Sequence, residues 1–149
     1  MIQERIVEKT QRNEVMVEFD SLSENESFAR TVVAAFCMQL DPTLEEISDI
    51  KTAVSEAVTN SIIHGYENGP GKIRLHCIRE GRLITITIMD EGVGIADIAA
   101  AMEPMYTTRP EWERSGMGFS FMEAFMDELE VDSRQGEGTT IIMRKNLGK

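Results

Sequence analysis

Glu56, Asn60 and His64 fall at successive four-residue steps in the stretch SEAVTNSIIHGYENG. Residues four apart lie on one face of a helix, so these three predict a polar ridge beside an apolar stripe of Ala53, Ala57 and Ile62. The ridge combines a proton acceptor, a neutral oxygen donor and an imidazole. Magnesium suits that economy. It keeps most of its waters and takes one or two protein oxygens plus substrate phosphates, so the Asn60 carbonyl suffices and Glu56 stays available for proton transfer. Taken alone, the ridge is better read as a solvated helix face with a capping His, and only its neighbours change that balance. One neighbour is Asp90, which closes a strand otherwise built of Ile and Thr, where a carboxylate is costly unless something meets it. In DEGVGI, Gly92 and Gly94 allow turns that a side chain forbids, so a flat ligand can approach the main chain while Asp90 accepts a hydrogen bond from it. An adenine amino group fits, although Asp and Gly also dominate ordinary turns. The other neighbour is RSGMGFSF, where Gly116 and Gly118 stand immediately before a helix. Unpaired N–H groups and the positive helix end suit phosphate oxygens there, as an ordinary helix start also would, and neither the Walker nor the Rossmann pattern is present.

The elements that must position these residues are legible from periodicity. EVMVEF alternates Val15, Val17 and Phe19 and predicts a first strand from about Asn13, with residues 1–12 as a polar extension. Ser23 and Glu26 have capping-box spacing and open a helix from Glu24 to Leu40; Pro42 stops it, and Thr43 with Glu46 open a second that runs to Gly65 and carries the ridge. KIRLHCIR and RLITITIMD alternate around EGR as an antiparallel hairpin. Residues 96–115 lack clean periodicity and form a candidate lid, GMGFSFMEAFMD opens a short helix, and LEVDSRQGEGTTIIMRK gives two strands around a Gly-rich turn. The sum is one α+β domain over residues 13–149, a two-layer α/β sandwich with helices on one face of a mostly antiparallel, mixed sheet.

Composition narrows the partners. The chain has 149 residues and a net charge of −11, which disfavours nucleic-acid backbones and anionic membranes and favours a basic protein. Cys37 and Cys77 are isolated and outside any metal-ligand spacing, and MIQERIVEKT is too charged for a signal peptide, so a cytoplasmic location is expected. No apolar run is long enough to cross a bilayer, and no membrane anchor is expected.

The ridge, the Asp-x-Gly-x-Gly turn, the Gly-x-Gly helix start and the late GEGTT occur in the order of the GHKL ATP-binding fold, which this sequence resembles. That fold is shared by histidine kinases, type II topoisomerases, Hsp90 and mismatch-repair ATPases. Within it, SENESFAR, SEAVTNSIIHGYE, DEGVGI, TTRPEWERSGMGF and MEAFMDE resemble the bacterial anti-sigma factors that are serine kinases, most closely those of sporulation, over residues 13 to about 145. The resemblance implies ATP or ADP with Mg²⁺ as cofactors. It implies that Asp90 binds the adenine amino group, that Thr139 supports the same site through hydroxyl and water contacts, that Asn60 holds Mg²⁺ and that Glu56 is the general base. Gly92, Gly94, Gly116 and Gly118 would shape the nucleotide pocket and phosphate cradle. Lid residues Thr107, Thr108 and Arg114 would reach the terminal phosphates, with Arg114 supplying charge to the transferring γ-phosphoryl group. His64 takes the last place of the Asn-containing motif, near phosphate or as a helix cap.

The same resemblance implies a homodimer with two protein partners: a sporulation sigma factor that it binds and inhibits, and an anti-anti-sigma protein that it phosphorylates on serine. Topoisomerases, Hsp90 and mismatch-repair proteins continue into a transducer domain for which this chain has no room, and residues 1–12 are too short for a phospho-accepting hairpin. A standalone serine/threonine kinase is therefore expected. A nucleotide-gated sigma-binding module without kinase activity and a simple ATPase stay open as other classes. Outside the nucleotide motifs, Arg30 on the first helix is either a solvated partner of Glu26, four residues earlier, or an anchor for a partner's carboxylate.

Overall fold

The computed structural model describes residues 11–96, 98–102 and 118–148. Its frame is a five-stranded sheet of β1 (Arg12–Asp20), β2 (Lys72–Glu80), β3 (Leu83–Asp90), β4 (Glu128–Ser133) and β5 (Thr139–Asn146), in the order β1-β2-β3-β5-β4. Every neighbouring pair is antiparallel, so no parallel pairing accompanies the expected antiparallel one among the described strands. Strict alternation sends Ile73, Leu75, Ile84, Ile86, Ile88, Ile141 and Met143 to one face, where all are fully buried. Helices α1 (Glu24–Cys37), α2 (Leu44–Asn60) and α4 (Gly118–Phe125) meet that face with Ala29, Val33, Val54, Ala57, Val58 and Met122. Short α3 spans Ile98–Ala101. Each fully buried Ile or Leu side chain contributes about 1.5–3 kcal/mol, so this single interface dominates stability. The opposite face, with Arg74, Thr85, Thr87 and Arg144, is partly solvated, which makes the fold two layers.

Two local features differ from the expectation. Ser23 sits in the right-handed helical region (φ −53°, ψ −36°) and makes no side-chain cap, so the first capping box does not form. Its intended partner, Glu26, is instead drawn across the helix pair, where its Oε2 accepts a 2.6 Å hydrogen bond from Ser55 Oγ. Thr43 and Glu46 do form the second box, with extended backbone at Thr43. The second helix does not run as an α-helix to Gly65: it ends at Asn60, and Ser61–Gly65 form one π-helical turn closed by Tyr66 N donating to Ser61 O at 2.8 Å. Among the described residues no helix is long and apolar enough to cross a membrane.

Candidate functional site

The π turn exists at the place where α2 meets the end of β3. Asp90, the last residue of β3, is 6% exposed, and both carboxylate oxygens are engaged: Oδ2 accepts from Ser61 Oγ at 2.8 Å and Oδ1 from Gly92 N at 2.9 Å. Burial pushes its carboxyl above the ordinary range, with hydrogen bonds from the Gly92 backbone, the Ser61 hydroxyl and the Thr139 backbone opposing that shift. The donors built around it hold both oxygens as acceptors.

Close approach of backbone explains the glycines here. A Cβ on Gly65 would lie 3.0 Å from the Asp90 carboxylate, and one on Gly92 would lie 2.1 Å from Gly65 O, which accepts from Val93 N at 2.9 Å. Gly94 has φ +76°, and a Cβ there would meet Arg134 O at 2.0 Å. The turn after β3 is thus clamped between the π turn and the β4–β5 loop, with room only for hydrogen atoms at those positions.

Thr139 lies opposite Asp90 in the β3–β5 register and is buried. Its Oγ1 is 2.8 Å from Ser133 Oγ, which accepts from Ile95 N at 2.7 Å and donates to Gly138 O at 3.0 Å. Since Ser133 has one proton and gives it to Gly138 O, Thr139 is the donor of that pair. Tyr66 ties the same corner from outside, its hydroxyl donating to Lys72 O at 2.5 Å and accepting from Glu91 N at 2.8 Å.

Glu56 and Asn60 are half-buried one turn apart near the end of α2. His64 is also half-buried and falls inside the π turn. The structure brings Asp90, Gly92, Gly94 and Thr139 into one corner, and Asn60 directly precedes Ser61, whose hydroxyl donates to Asp90. Gly118 opens α4. Thr107, Thr108, Arg114 and Gly116 lie outside the described residues.

Sequence reasoning missed Ser61, Ser133 and the packing role of Gly65. The hydroxyl of Ser61 beside the apolar pair Ile62 and Ile63 was the available signal for the first. Nothing local marks Ser133 as the acceptor of the Ile95 N–H, 38 residues away. A groove of about 560 Å³ between α1 and α2 holds Glu26, Arg30, Lys51, Ser55, Glu56 and Thr59 in its lining. Arg30, read as lying apart from the nucleotide motifs, shares this groove with Glu56, and its Nε is 3.4 Å from Glu26 Oε2.

Comparison with known proteins matches residues 19–145 to the histidine kinase-like ATPase domain. Similar curated proteins are called anti-sigma F factor. The one from Clostridium acetobutylicum is 59% identical over 91% of this chain and 94% of its own length. That of Thermoanaerobacter pseudethanolicus is 62% identical over 91% and 95%, and that of Bacillus licheniformis 55% over 93% and 95%. A solved structure of RsbU and RsbW domains from Mycobacterium tuberculosis shares the fold, with a TM-score of 0.64 at 18% identity over 91% of this chain and 32% of that one.

Proposed function

The chain belongs to the histidine kinase-like ATPase family, within its anti-sigma F factors, and on that premise we propose that it is an ATP-dependent serine kinase that also sequesters a sigma factor. The observation that carries the nucleotide part is the buried Asp90 carboxylate, fixed by Ser61 and Gly92 N–H at a corner walled by glycines. A carboxylate there recognises an exocyclic amino group by accepting its hydrogen bond, directly or through water held with Thr139. Guanine presents a carbonyl in place of adenine's amino group, and two acceptors facing each other without a proton are unfavourable.

Asn60 offers one neutral oxygen at the phosphate end of this corner. Among the described residues no group of three or more His, Cys, Asp or Glu converges. That donor set suits an ion that arrives with nucleotide phosphates, as Mg²⁺ does. When bound, Mg²⁺ offsets charge on the phosphate oxygens. Glu56, on the same helix, takes the proton of the acceptor serine as the seryl oxygen bonds to the γ-phosphorus and the bond to the β,γ-bridging oxygen breaks, leaving phosphoserine and ADP. Gly118 at the start of α4, together with Gly116, Thr107, Thr108 and Arg114, completes the phosphate side of this reading.

The sigma factor is the sequestered partner and an anti-anti-sigma protein is the phosphate acceptor, with Arg30 as an anchor for a partner carboxylate. A cytoplasmic homodimer completes the proposal; among the described residues β1 is an edge strand of the sheet. The test is incubation of the purified chain with γ-labelled ATP, Mg²⁺, and the sigma and anti-anti-sigma proteins encoded with it. Label on a serine of the second protein is expected. Release of all label as inorganic phosphate would make the chain an ATPase, and sigma capture without any turnover would make it a binding module.

A further inference from the structure

We propose that Ser55 and Glu26 act together as a positioning device for Arg30, holding its guanidinium by the Nε edge so that its two terminal nitrogens face a carboxylate of the partner. This inference rests on Arg30 being a partner anchor, as proposed above. Ser55 is on α2 and Arg30 on α1, and they meet only through Glu26 Oε2, which accepts from Ser55 Oγ at 2.6 Å and pairs with Arg30 Nε at 3.4 Å. A helical serine commonly returns its proton to the carbonyl four residues back. Here it crosses to the neighbouring helix and makes a short charge-assisted bond to a carboxylate that is only 19% exposed.

The bond to Ser55 changes what the Arg30–Glu26 pair can do. An i,i+4 ion pair at a partly exposed position is weak and leaves both long side chains mobile. With Oε2 fixed from α2, the Glu26 rotamer is set, and the Arg30 plane is set with it. Among the described residues Arg30 has no other ion pair or hydrogen bond than this one at Nε. The fork formed by Nη1 and Nη2 is the edge suited to bidentate recognition of a carboxylate. Ser55 is also the residue before Glu56, and both line the groove that Arg30 lines. A partner acid seated on Arg30 therefore lies at the mouth of the groove whose wall carries the proposed base.

Calorimetric titration of the full chain, loaded with nucleotide, against the purified sigma factor encoded with it tests this. Arg30→Ala is expected to weaken binding about 30-fold or more, and Arg30→Lys nearly as much, because Lys lacks the fork. Ser55→Ala should weaken it about five- to tenfold with nucleotide affinity unchanged, and Ser55→Thr should restore it. In the Arg30→Ala background Ser55→Ala should cost nothing further, an outcome that general loosening of the helix pair would not give. If Arg30→Ala weakens binding and Ser55→Ala does not, the positioning device is refuted while the anchor stands. If Arg30→Ala has no effect, anchor and device both fall. Should Ser55→Ala also lose nucleotide, Glu26→Ala takes its place in the same cycle, and additivity with Arg30→Ala would overturn the inference.

Discussion

At Asp90 burial works against the charge that the proposed adenine contact would use. Burial raises the carboxyl's pKa from its ordinary 3.8, so its stabilising contribution is complete below that value and is lost as pH rises through the raised one. Asp90→Asn removes that burden. Its amide oxygen can still accept from Gly92 N, and the Ser61 hydroxyl can turn to accept from the amide nitrogen. Thermal unfolding should therefore show the variant gaining on the wild type as pH rises from about 3 to 7, while ATP affinity falls by about 1–3 kcal/mol for the unmet donor on the ligand. A lower melting temperature than the wild type at pH 7 would show that the carboxylate stabilises the fold despite its burial. Glu56 tests differently. Glu56→Gln keeps shape and hydrogen-bonding reach but not basicity, so phosphate transfer in single-turnover assays should drop about 10²-fold with nucleotide and sigma binding intact. Transfer at the wild-type rate would remove Glu56 from the base role.

Among the elements, the π turn Ser61–Gly65 decides how the corner is built. By widening the last turn of the α2 segment it delivers Ser61 to the Asp90 carboxylate and sets Gly65 flat against it. The clamp is tight: a methyl group on Gly92 would stand 2.1 Å from a backbone oxygen, which no side-chain rotation relieves. Gly92→Ala should cost about 1–3 kcal/mol in urea unfolding and weaken nucleotide binding together. Unchanged stability would mean that the turn after β3 is free to move away from the π turn. At the other end of α2, Thr43 accepts from Glu46 N at 3.0 Å. Loss of that cap in Thr43→Ala should cost about 1 kcal/mol in the same measurement without altering nucleotide affinity, since the site lies some four helical turns away along Leu44–Asn60. A fall in ATP affinity would reveal coupling along the helix.

For the whole molecule, a net charge of −11 sets the terms of encounter with a partner. If the sigma surface that docks is basic, association is steered by long-range attraction and should slow by on the order of tenfold or more as salt rises from about 0.05 to 0.5 M, read by stopped-flow. A rate independent of salt would place recognition in apolar contacts. The sequence by itself determined the two-layer plan, because alternation in the strands and the three-four spacing in the helices are local patterns whose buried faces have only one another to pack against. It also marked Glu56, Asn60, Asp90, Gly92 and Gly94, since an acid or a run of glycines at the end of an apolar element is conspicuous without any partner in view. Tertiary structure alone decided that Glu26 leaves its expected cap for Ser55 and that Ser61 and Ser133 join the corner. Each of those outcomes is a competition between a local bond and a partner 29 or 38 residues away. A carboxylate or hydroxyl carries no sequence signal of which bond it will make, because the winner depends on which donor the packed helices and strands bring within reach.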